Sequence, residues 1–95
     1  MTPEGRVKAK VKRVLGKPGI YHHMPVQNGM GKPSLDFIGC AYGNFFAIET
    51  KAPGKKPTER QEITIAEIRA AGGKVFVIDG DTTELESWLT HISSS

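Results

Sequence analysis

Within the stretch FFAIETKAPGKKPTERQ, an apolar run ends in Glu49 and Lys51, with Thr50 between them. Residues two apart on a strand point to one face, so this carboxylate and this ammonium act together. A third charged residue, Asp36, stands at the far side of a hairpin whose turn is read at YGN. A two-residue loop at 43–44 places Asp36 opposite Lys51, and one at 42–43 places it opposite Glu49. Directly opposed residues share a face, so either even loop gathers Asp36, Glu49 and Lys51, whereas an odd loop turns Asp36 away.

The chemistry follows from the cost of this grouping. Both strands of the hairpin are apolar on both faces, as in a sheet covered by helices on each side. Burying an unpaired carboxylate costs several kcal/mol, roughly, and two adjacent carboxylates also repel. A divalent cation relieves both penalties, and carboxylate oxygens with room left for water suit Mg²⁺ or Mn²⁺. A metal so held binds phosphate oxygens and activates water, and a neighbouring lysine orients that water or stabilises developing negative charge. The plainer alternative is a salt bridge of Lys51 with Asp36 or Glu49, which does not need three charges.

The elements that must position these residues read in the order helix, three strands, helix, strand, helix. Residues 2–16 form a helix with Thr2 as cap, Pro3 in its first turn and Gly16 at its end. Val7, Val11, Val14 and Leu15 make its apolar stripe, and Arg6, Lys10, Arg13 and Lys17 a basic one beside it. Glu4 projects near the apolar side, either against the helix dipole or into a site. Residues 19–26 hold a short strand that Pro25 ends. Residues 27–32, with Asn28 and Lys32, are a Gly-rich loop able to follow a DNA backbone or simply to connect. Strands at 34–41 and 45–51 flank the turn. Thr58 and Gln61 have capping-box spacing at the start of a helix that Gly72 and Gly73 stop. A buried strand at 74–78 is expected to run parallel to the strand before that helix. A last helix is read as capped at Asp81, with Trp88 on its core-facing side.

Composition sets outer bounds. Ninety-five residues fit one domain, with 93–95 as a tail. Hydrophobic and charged fractions of 38% and 24% fit a globular protein in water, with no membrane segment and a cytoplasmic setting expected. Residues 1–33 carry seven Lys/Arg and one Glu, and the remainder six Lys/Arg and nine Asp/Glu. Positive charge is therefore concentrated where a phosphate backbone would be drawn. The single cysteine, Cys40, excludes an internal disulfide and is expected to be buried and inert. His22 and His23 are adjacent on a strand, so at most one faces any site.

The string from Pro33 through Asp36 to Glu49, Thr50 and Lys51 resembles the PD-(D/E)XK nuclease signature. More narrowly, GKPSLDF, FFAIETKAPGKKPTERQ and AGGKVFVIDG together are similar to the VRR-NUC (virus-type replication-repair nuclease) family, in its small stand-alone form. The resemblance spans Glu4 to about Asp79, and departs from the family pattern where Ser34 and Leu35 separate Pro33 from Asp36. It implies an α/β restriction-endonuclease-like core of order αβββαβα, with a mixed central sheet flanked by helices. It implies that Asp36 and Glu49, with the Thr50 carbonyl and Glu4, hold Mg²⁺ or Mn²⁺. Lys51 and Gln61 would complete the catalytic set. Arg6, Lys10, Arg13, Lys17, Asn28, Lys32, Lys55 and Lys56 are the candidate DNA contacts. The implied activity is a homodimeric endodeoxyribonuclease acting on branched DNA such as four-way junctions. The alternatives are a non-catalytic DNA-binding module on the same fold and a sequence-specific restriction-type enzyme.

Overall fold

The computed structural model describes residues 1–27, 29 and 31–94. Its elements run α1 (Pro3–Leu15), β1 (Ile20–His23), β2 (Phe37–Ala41), β3 (Asn44–Thr50), α2 (Glu59–Ala70), β4 (Lys74–Ile78) and α3 (Thr83–Ser93). This is the expected αβββαβα order. The four strands form one mixed sheet, β1-β2-β3-β4, antiparallel except for the parallel β3–β4 pair.

The hairpin turn decides the register of the charged residues. Tyr42 and Gly43 both adopt positive φ, 51° and 83°, and Ala41 pairs with Asn44. Such a two-residue turn matches the twist of its strands. Tyr42 is held in this unfavourable conformation by its hydroxyl, which donates to the Pro18 carbonyl at 3.3 Å. Of the two even loops considered, the one at 42–43 therefore forms, and continuing the ladder past the Phe37–Ile48 pair brings Asp36 level with Glu49.

The sheet is covered unequally. Val7, Val11, Val14 and Leu15 of α1 and Leu85 and Leu89 of α3 pack on Phe37, Phe46, Ile48, Phe76 and Ile78. Fully burying Phe37 and Phe46 contributes about 1.5–3 kcal/mol each. Trp88 joins this layer, its ring centroid 5.5 Å from that of Phe76. On the opposite face α2 places Ile65 and the half-buried Ile68 against Leu35, Ala47 and Val75, over β3 and β4. Ile38 of β2 packs at the edge of this layer, and toward β1 the face opens to solvent. Tyr21, Cys40 and Phe45 line up across three strands there, all exposed. Cys40 is thus not the buried thiol its apolar neighbours imply, because α2 is displaced toward β4.

Helix boundaries follow local chemistry. Thr2 Oγ1 accepts from the Gly5 N–H at 2.9 Å, and Gly16 caps the other end of α1. Thr58 and Gln61 make the reciprocal capping box on α2. At α3 the capping position is Thr82 rather than Asp81, although Asp81 Oδ1 still accepts the Thr83 N–H at 2.9 Å. Among the described residues, no helix is long and apolar enough to cross a membrane.

Candidate active site

Glu49 and Lys51 lie where β3 ends, on the face that α2 covers. Glu49 is 3% exposed, although it is charged at neutral pH in water. Lys51 Nζ stands 3.7 Å from Glu49 Oε2, beyond good hydrogen-bond length, so the attraction is Coulombic and incompletely satisfied. Burial pushes the Glu49 carboxyl up to about 7; the negative charge of Asp36 and, to a smaller extent, that of Glu4 add to the rise. Lys51 and the Asp36 backbone N–H oppose it without cancelling it.

Asp36 is one residue short of β2, so its side chain is not bound by strand alternation. Its Oδ2 accepts from the Thr50 N–H at 3.0 Å and from the Thr50 hydroxyl at 2.7 Å. The carboxylate takes the position the next ladder acceptor would have had, and it satisfies both donors of a fully buried threonine. The Lys51 N–H donates the other way, to Ile78 O at 2.9 Å. In an extended strand one residue's N–H and C=O share a side, so the Thr50 carbonyl lies on the Asp36 side.

Glu4 enters from the first turn of α1, and Lys8 one turn later holds its Oε2 at 3.0 Å. The bond to Glu4 holds the Lys8 ammonium above its usual pKa; partial burial opposes this, and the charges of Asp36, Glu4 and Glu49 reinforce it. Glu4, Lys8, Asp36, Glu49 and Lys51 are therefore one electrostatic cluster. Lys8 is the member that sequence reasoning missed, although its four-residue spacing from Glu4 was a visible signal.

Gln61 is placed at the first turn of α2 and serves its cap: its Oε1 accepts the Thr58 N–H at 2.9 Å. Among the described residues, none of its hydrogen bonds reaches Asp36, Glu49 or Lys51. The histidines diverge as expected. His22 packs on Phe37, and His23 lies on the other face beside Tyr21, each pair with ring centroids 6.2 Å apart.

The basic residues divide. Arg6 and Lys10 line a cavity of about 260 Å³ with Pro53 and Gly80, beside the loop that carries the exposed Lys55 and Lys56. Lys10 Nζ also donates to Gly80 O at 2.7 Å, which ties α1 to the end of β4. Arg13 lies in the last turn of α1, and Lys17, just past the Gly16 cap, stands beside Tyr42 at the hairpin turn. Lys32 is exposed and paired with Glu67 at 2.9 Å. Asn28 lies outside the described residues. A cavity of about 320 Å³ is lined by Pro25, Gln27, Lys32, Ser34 and Arg60, and Glu49 is not among its lining residues.

Among the described residues, no three His, Cys, Asp or Glu side chains form a ready-made metal cage. The donor set nevertheless fits a hard cation: a desolvated carboxyl at Glu49, the Asp36 carboxylate and a backbone carbonyl, all oxygen. Mg²⁺ characteristically takes one or two carboxylates and keeps several waters. No protein-family model matches the chain, and no curated protein is significantly similar to it.

Proposed function

We propose that this chain is a metal-dependent DNA endonuclease of the PD-(D/E)XK type, in line with the resemblance of its sequence to the VRR-NUC family. The observation that carries the reading is Glu49: a carboxyl buried at a strand end, beside Asp36 and within 3.7 Å of Lys51. A structural ion pair has no need of a second and third carboxylate whose charges raise the pKa of the first. The αβββαβα order around a mixed four-stranded sheet is compatible with such a core.

In this reading Asp36 and Glu49, with the Thr50 carbonyl and Glu4, hold Mg²⁺ or Mn²⁺. The cation, when bound, supplies charge neutralisation for a phosphate and activation of water. Lys51 orients the attacking water or stabilises the charge growing on the phosphate. Thr50 fixes Asp36 through two hydrogen bonds, so that carboxylate does not have to be ordered during the reaction. Arg6, Lys10, Lys55 and Lys56 hold the DNA backbone near the cluster, and Arg13 and Lys17 extend that contact to the end of α1 and the turn beyond it. Gln61 contributes by fixing the start of α2.

The substrate is branched DNA, cut by a homodimer; a two-fold junction that needs two cuts suits a two-fold dimer. The test compares four-way junction, flap, single-stranded and linear duplex DNA of matched sequence in Mg²⁺ or Mn²⁺. Preferential junction cleavage is expected. Equal cleavage of all four removes structure selectivity, and no cleavage of any removes the nuclease.

A further inference from the structure

Two groups of basic side chains stand on elements far apart in sequence. Arg6 and Lys10 are on α1, Lys55 and Lys56 on the turn after β3, and all four are exposed. The short turn that follows β4 brings them together. The Lys51 N–H donates to Ile78 O at 2.9 Å, so β3 and β4 end side by side. One residue later, Asp79 Oδ2 accepts the Gly54 N–H at 3.1 Å. The next carbonyl, that of Gly80, accepts from Lys10 Nζ at 2.7 Å. Two consecutive residues thus tie the 52–55 turn and α1 to one point. A cavity of about 260 Å³, lined by Arg6, Lys10, Pro53 and Gly80, marks where the three segments meet. The held turn is tight: the Lys55 N–H donates to Ala52 O at 2.9 Å, and Gly54 adopts a φ of 82°, which a side chain would resist. Lys55 directly follows the residue that Asp79 holds.

Charge alone argues against an acid at this place. A carboxylate among four cations weakens their attraction for a phosphate backbone. Among the described residues, Asp79 forms no ion pair that would account for it, and neither do Arg6, Lys55 and Lys56. Its bond is to a backbone N–H. We propose that Asp79 is a positioning residue for DNA binding, which holds the 52–55 turn against the end of β4. Lys55 and Lys56 are then presented together with Arg6 and Lys10 before DNA arrives. This rests on the reading of these four residues as DNA contacts. A turn ordered in advance does not have to be ordered on binding, and this outweighs the repulsion from one solvent-screened charge.

The experiment measures binding of a fluorescently labelled four-way junction by anisotropy, in EDTA to prevent metal-dependent cleavage, for wild type, Asp79→Asn and Asp79→Ala. Both variants lose the charge, but asparagine still offers Oδ1 to the Gly54 N–H. Asp79→Asn should bind at least as tightly as wild type. Asp79→Ala should bind about two- to tenfold more weakly than Asp79→Asn, the range that ordering one long side chain on binding costs. Its affinity should also depend less steeply on salt, because fewer phosphates are neutralised together. In a Lys55→Ala, Lys56→Ala background the groups presented by the turn are gone, and the difference between the two Asp79 variants should vanish. Circular dichroism and thermal unfolding check the fold of each protein. Equal affinity of the two Asp79 variants, or a difference that survives without the two lysines, overturns the role of Asp79 while the DNA reading stands. Absence of binding by wild type removes the DNA reading, and the role of Asp79 with it.

Discussion

Replacing Glu49 by glutamine should stabilise the metal-free protein, and only above mildly acidic pH. Burial, with the charges of Asp36 and Glu4, moves the Glu49 carboxyl from 4.5 to about 7. At 1.36 kcal/mol per unit, this is a penalty of about 3 kcal/mol for holding the ionised form in the fold. The side chain is 4% exposed, so solvent screening removes little of it. The sign is set by proton binding. Below pH 4.5 the group is protonated whether folded or unfolded, and the penalty is absent. Between 4.5 and 7 the folded state retains a proton that the unfolded state has lost, so stability falls as pH rises. Above about 7 the full penalty is present. For a chain of this length 3 kcal/mol corresponds to roughly 12–24 °C in Tm. Glutamine keeps the shape and can still accept from the Asp36 N–H, but it carries no charge. Thermal unfolding of wild type and Glu49→Gln in EDTA, from pH 5 to 8, should give curves that are close at pH 5 and diverge by that amount at pH 8. Adding Mg²⁺ at pH 8 should raise the wild-type Tm and leave the variant unchanged. A difference between the two proteins that does not vary with pH would refute the argument.

Two further outcomes test the sheet itself. A Cβ at Gly39 would lie 2.7 Å from the Phe46 ring and closer still to the Tyr21 carbonyl, so Gly39→Ala should cost about 2–3 kcal/mol. Denaturant titration measures this, and a change within about 0.5 kcal/mol would contradict the close approach of β1 and Phe46. Cys40 stands where the α2-covered face opens to solvent toward β1, so native protein should react fully with a thiol-specific reagent without denaturant; protection until unfolding would show that something covers that face.

Much of this arrangement is legible in the sequence. The stripe of Val7, Val11, Val14 and Leu15 faces the core as its spacing requires, and Thr58 with Gln61 caps α2 as their spacing requires. The hairpin was legible to within two registers. What chose between them was the ability of Tyr42 to take positive φ, supported by a hydrogen bond to Pro18 that no local pattern reveals. Asp36 was legible as a neighbour of Glu49. Its bonds to Thr50 were not, because it lies before the strand proper, where alternation gives no direction. Cys40 was misread because an apolar run implies burial on both faces, whereas burial on one of them depends on where α2 docks. Lys8 is one of several basic residues on α1, and its spacing from Glu4 is the one signal in the sequence that sets it apart. Its partner Glu4 marks it once the helix is placed.

The central claim is that Asp36, Glu49 and Lys51 form one catalytic group, and loss of cleavage without loss of DNA binding tests it most directly. Lys51→Ala and Asp36→Asn should each reduce Mg²⁺- or Mn²⁺-dependent cleavage of a four-way junction at least about a hundredfold, the scale seen when a transition-state-stabilising group is removed. Gel-shift affinity for the same junction in Ca²⁺ should stay within about threefold of wild type, because the backbone contacts are made by other residues. Cleavage at the native rate by either variant would contradict the account.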